Sequence, residues 1–142
     1  MERQRIDFYK KWNGKCLEDD GVTVSRQYRG FQTAFKNILE GIAKDLGARL
    51  VWFSKGHYDE TAMFERGGRF AYLSHSNNIY GRSTPSFNSI LVRTASHEKD
   101  YTGGPNNFVR WIYLTNEIDR LLGGRGEVED LDLYPVEMII NY

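Results

Sequence analysis

One cysteine, three prolines, no surplus of either charge and no long apolar run set the first limits on this 142-residue chain. A lone thiol, Cys16, excludes an intramolecular disulfide and a multi-cysteine zinc site. No apolar run exceeds four residues, as in Leu50-Val51-Trp52-Phe53 and Trp111-Ile112-Tyr113-Leu114, against the ~20 that a membrane-spanning helix needs. The opening Met1-Glu2-Arg3-Gln4-Arg5 leads into no apolar h-region, so no secretory signal is expected. Nineteen Lys+Arg against nineteen Asp+Glu leave a formal net charge of zero. That balance lacks the basic excess of a generic nucleic-acid binder and the uniform negative surface of an acidic DNA mimic. The expectation is a cytoplasmic protein of one domain, 1–142, with 1–24 and 124–142 as peripheral segments. A chain of this length buries roughly two-thirds of its unfolded surface and needs no staple to fold.

Aromatic residues are what the chain has in excess: three Trp, nine Tyr and eight Phe, 14% of the sequence. Nine tyrosines are more than a small core satisfies, so some are expected at solvent or at a partner. Phe31, Phe35, Ile38, Leu39, Ile42 and Leu46 recur at helical spacing, with Ser25 as N-cap and Gly47 just past the end. Residues 1–24 read as a short helix or strand followed by a turn. Arg49 to Ser54, Glu60 to Glu65, Phe70 to His75 and Ser89 to Ala95 read as strands. The middle pair is joined by Arg66-Gly67-Gly68-Arg69, whose glycines supply the positive φ angles of a tight hairpin. Phe108, Trp111, Ile112, Thr115, Ile118, Leu121 and Leu122 predict a second helix, capped by Asn106 or Asn107 and ended by Gly123. The run Val136 to Ile140 reads as an edge strand or a docking segment. Together these predict an α+β domain: a mainly antiparallel sheet of four to five strands with helices packed on one face.

Catalytic motifs are scarce. His57, His75 and His97 show no His-x-His or His-x-x-x-His spacing, although Asp59-Glu60 beside the first and Glu98 and Asp100 beside the last would allow a site assembled across strand ends. Cys16 has no local histidine, and no Gly-x-Ser-x-Gly elbow is present. An enzyme of unfamiliar type would have to be built around His57, His97 and Asp100. A nuclease core would need Glu-x-Lys along a strand, and neither His97-Glu98-Lys99-Asp100 nor Phe64-Glu65-Arg66 supplies it. No catalytic residue, metal or cofactor is expected.

Binding chemistry concentrates between 77 and 107, where Tyr, Ser, Asn, Gly and Arg suit adaptable contact. The candidate binding residues are Tyr80, Arg82, Arg93, His97, Lys99, Asp100, Tyr101, Gly103, Gly104, Asn106 and Asn107. Thr102-Gly103-Gly104-Pro105-Asn106-Asn107 leads toward a predicted helix N-terminus, where free N–H groups favour an anion, with Arg93 and Lys99 to supply charge. Pro105 removes one donor and no Gly-Lys-Ser/Thr follows. The alternative reading is therefore a nucleic-acid or nucleotide-binding module, in which Arg66, Arg69, Arg82 and Arg93 with Tyr58, Tyr72, Tyr80 and Tyr101 form a basic, aromatic sheet face.

Ile90-Leu91-Val92-Arg93-Thr94-Ala95, followed by Lys99-Asp100-Tyr101-Thr102-Gly103-Gly104 and Asn106-Asn107, also carries a resemblance. With Gly56-His57-Tyr58 and the Phe64 to Leu73 hairpin, the stretch from about residue 28 to 108 resembles small uncharacterised proteins encoded on phages and conjugative elements of Firmicutes. The resemblance implies a non-enzymatic accessory protein that binds and inhibits a host defence complex, CRISPR–Cas effectors included. The partner would be a protein or ribonucleoprotein, with nucleic acid a second option and no membrane. Exposed tyrosines and a C-terminal edge strand would allow a homodimer.

Overall fold

A computed structural model describes residues 2–13, 28–56, 59–76, 87, 90–100 and 102–140. The elements run α1 (Glu2–Trp12), α2 (Tyr28–Asp45), β1 (Arg49–Lys55), β2 (Asp59–Arg66), β3 (Arg69–Ser76), β4 (Ile90–Ala95), β5 (Asn107–Val109), a 3-10 turn Trp111–Tyr113, α3 (Leu114–Leu121), a second 3-10 turn Leu131–Leu133 and α4 (Val136–Ile140). The five strands form one antiparallel sheet in chain order. This is the α+β domain that the sequence predicts, with five strands and the helices on one face. Ser25 and Cys16 lie outside the described residues.

The apolar stripe of α2 is buried along its length: Phe31, Phe35, Ile38, Leu39, Ile42 and Leu46. It packs on the sheet face that carries Ala62, Phe64, Ala71, Leu73, Ile90 and Val92. The first segment is a helix, because Ile6, Phe8, Tyr9 and Trp12 complete the same core from one side of a helical repeat. The centre is unusually aromatic. Phe8, Phe31, Phe35, Phe87 and Trp111 pack together in stacked and tilted pairs with ring centroids 4.9–6.2 Å apart.

Local chemistry fixes the joints. Gly47 at φ 63° closes α2 with paired bonds from Ala48 N–H to Ala43 O and from Gly47 N–H to Lys44 O, a Schellman end. Gly67 and Gly68, at φ 59° and 82°, form the two-residue turn between β2 and β3. Two expectations fail. Residues 106–109 do not open a helix: Asn107–Val109 pairs with β4, and helix begins only at Trp111. Three ladder positions opposite Ile90, Leu91 and Val92 outweigh the local capping preference of asparagine. Val136–Ile140 is helix α4, which overturns the edge-strand alternative, while the docking-segment alternative fits Met138 buried in the core.

Arg66 joins the C-terminal ends of two helices. Its guanidinium donates to the carbonyl oxygens of Leu46, Asp119 and Leu122 and to the Asp119 carboxylate at 2.8 Å, meeting acceptors that helix ends leave open. Burial would raise the Asp119 pKa, but the Gly126 N–H and Arg66 together outweigh it and hold the carboxyl below its ordinary value. A carboxyl lowered in the folded state adds stability above the unfolded value, which is lost as pH falls through the folded one. Asp119→Asn should therefore cost about 1–3 kcal/mol at neutral pH, with the deficit shrinking in acid below about pH 4. Urea midpoints of both proteins at pH 7 and pH 3 check this; an equal deficit at both would remove the Asp119 charge from the account.

Candidate functional site

The sheet has two unlike faces. Strand register places Trp52, Met63, Tyr72 and Arg93 in one row across β1 to β4, on the face opposite α2. A neighbouring row runs Ser54, Thr61, Ser74, Leu91 and Phe108. A bulge at Val51, between the pairs Leu50↔Phe64 and Trp52↔Met63, turns Trp52 outward while Leu50 and Phe53 pack on the core.

The segment after β4 folds back over this outer face. The Trp52 indole N–H donates to Glu98 O at 2.6 Å, and Met63 and Tyr72 beneath are buried. Asp100 organises the loop, accepting from the N–H and hydroxyl of Ser96 and from the N–H of Thr102. The Ser96 N–H, then the Thr102 N–H and the Ser96 hydroxyl, hold the Asp100 carboxyl below its usual range. His97 Nδ1 accepts from the Lys99 N–H at 3.2 Å, while both side chains face solvent. Gly103 and Gly104 lie so close to Thr94 that a Cβ on either would collide with it, and Gly104 N–H donates to Thr94 O. Arg93 lies 4.5 Å over the Tyr72 ring and donates to Asn106 Oδ1 at 2.9 Å.

Of the predicted binding residues, the structure brings Arg93, His97, Lys99, Asp100, Gly103, Gly104 and Asn106 together on one side. Asn107 points to the other, donating to Glu117 of α3. Tyr80, Arg82 and Tyr101, with His57 and Tyr58, lie outside the described residues. The Gly103-Gly104 turn serves strand pairing and leads into β5, so the helix N-terminus expected there is replaced by a ladder. The arginines divide between the faces: Arg66 binds the helix ends and the Arg69 side chain lies against Gly123 after α3, while Arg93 stays on the outer face. Sequence reasoning did not single out Trp52 or Phe108. Phe108 is 61% exposed on β5; its mixed helical spacing with Trp111 concealed its place on a strand.

The two described histidines, His75 and His97, lie on opposite sides of the sheet. His75 is wholly buried on the helix side, with Nδ1 2.9 Å from Glu60 Oε1. Gln32 donates to Glu60 Oε2 at 3.0 Å and to Gly56 O at 2.9 Å. Among the described residues no three His, Cys, Asp or Glu side chains come together as a metal site, and no helix is long and apolar enough to cross a membrane. A groove of about 360 Å³ between α1 and α2, lined by Asp7, Lys11, Trp12 and Asn37 among others, contains none of the predicted binding residues. No family model matches this sequence, and no curated protein or solved structure matches it either.

Proposed function

We propose that this chain is a non-enzymatic binding protein of the cytoplasm whose working surface is the outer sheet face with the loop 96–106 laid upon it. The observation that carries the reading is Phe108. A large aromatic side chain is held in water on an edge strand, opposite Leu91 and near the Arg93–Asn106 pair. Aromatic anchors of this kind, ringed by polar groups, suit protein contact. The charged groups of the loop, Glu98, Lys99 and Asp100, nearly cancel, which favours a protein partner over a polyphosphate. The resemblance to mobile-element proteins supplies the partner class: a host defence complex of the CRISPR–Cas effector type, inhibited by occupancy.

Gel filtration of the protein with a panel of purified effector complexes tests this. Co-elution is expected, and Phe108→Ser should abolish it without lowering the thermal midpoint, because an exposed side chain contributes little to stability. Absence of co-elution with every effector, or retention of binding by the variant, removes the reading.

A further inference from the structure

Four large apolar side chains are prominently exposed among the described residues, and three of them, Val128 (44%), Leu133 (58%) and Val136 (66%), lie within one short stretch. That stretch is also the most one-sided in charge. From Glu127 to Ile140 it holds Glu127, Glu129, Asp130, Asp132 and Glu137 and no Lys or Arg. Glu129 is neutralised internally by Arg5. The other four are exposed, and none forms an ion pair among the described residues.

The exposure does not come from fraying. Asn116 Oδ1 accepts from the Val128 and Glu129 N–H groups, both at 2.8 Å. Asp130 accepts from Asp132 N–H, Arg110 donates to Ile139 O, and Tyr134 and Met138 are buried. Single exposed apolar side chains are ordinary. Three of them on a pinned, acidic segment are the pattern of an interaction surface.

We propose that the 127–140 ridge docks a cationic amphipathic helix of a partner protein, with Leu133 and Val136 meeting its apolar stripe and Asp130, Asp132 and Glu137 its lysines or arginines. Charge decides the class: four exposed carboxylates with no ion pair among the described residues repel nucleic acid and anionic lipid and attract a basic surface. A second copy of this chain is a poor match. The basic helix it offers, α1, turns Ile6, Phe8, Tyr9 and Trp12 into its own core. This surface is separate from the loop site, and either can fail without the other.

The test is fluorescence anisotropy of the full chain with a labelled Leu/Lys amphipathic helix of about 18 residues, roughly five turns. A Leu/Glu helix of the same pattern is the control. Binding by the Leu/Lys peptide alone is expected, weakened about tenfold or more by L133S/V136S, and weakened again by D132N/E137Q with a shallower salt dependence. V136K, at the most exposed position, keeps the test open should the double variant lose stability. No binding of the Leu/Lys helix, equal binding of the Leu/Glu helix, or unchanged affinity in the variants overturns the proposal. A dimer by light scattering that L133S/V136S dissolves also overturns it, assigning the ridge to self-association.

Discussion

His75→Ala should destabilise the protein by about 3–5 kcal/mol, the loss of a buried hydrogen bond and the cavity left by the ring taken together. His75 and Glu60 are both fully excluded from solvent and 2.9 Å apart. Phe31, Phe35 and Phe87 enclose the imidazole, with Phe87 stacked on it at 5.3 Å and 22°. Deleting the ring removes the imidazole bonded to Glu60 Oε1 inside an aromatic core, and opens a cavity besides. The same reasoning makes Glu60→Ala costly, since Gln32 would then keep only its bond to Gly56 O. The two losses should not add. The double variant E60A/H75A is expected to be more stable than the sum predicts, by at least about 1 kcal/mol, and E60L/H75F should lie closer to wild type than either alanine variant. Urea unfolding of the set measures the cycle, with His75→Gln included in case the alanine variant is too unstable to study. Strict additivity would mean that the pair is incidental.

The second large effect belongs to Arg5. Its side chain is 1% exposed, with the guanidinium on the Glu129 carboxylate and on Thr115 Oγ1, donating to Trp111 O at 2.6 Å and lying 4.9 Å over the Trp111 ring. Trp111 Nε1 returns a bond to Arg5 O at 3.1 Å. Arg5 thus ties α1 to the start of α3 and to the acidic segment in one step. Arg5→Met retains an apolar stem but leaves the Glu129 carboxylate buried without its counterion, and should cost about 3–5 kcal/mol. Pairing it with Glu129→Gln should recover part of that loss. Hydrogen exchange gives the sharper readout: protection in α1 and around Val128 and Glu129 should fall together in Arg5→Met. Loss confined to α1 would show that the acidic segment is held without Arg5.

Both clusters join residues far apart in the chain, yet they differ in how much of them can be read from the sequence. Glu60 and His75 each lie six residues out from the Arg66–Arg69 turn, so a two-residue Gly67-Gly68 hairpin sets them opposite one another. Ala62, Phe64, Ala71 and Leu73, of the same parity, mark that face as the buried one. The buried pair was open to arithmetic. Nothing of the kind exists for Arg5, which reads as one more charge on an amphipathic helix. Only the packing of α1 beside Trp111 takes it out of water.

The candidate surface shows the same division. Composition marked the wider stretch 77–107, and the position of Arg93 on the face opposite Val92 followed from strand alternation; that 96–106 lies on the outer face was decided by the fold. The elements with strong local codes were all determined by sequence alone: the apolar stripe of α2, the glycine ends, the hairpin and its register, because helical period, αL glycines and two-residue turns act within a few residues of themselves. What tertiary structure alone decided was settled by partners at a distance. Asn107–Val109 became a strand because β4 offered a ladder, and the register with β2 placed a bulge at Val51, between Leu50↔Phe64 and Trp52↔Met63. Phe108 came to face water because β5 lies at the sheet edge, where the ladder holds the backbone and nothing in the core reaches the side chain.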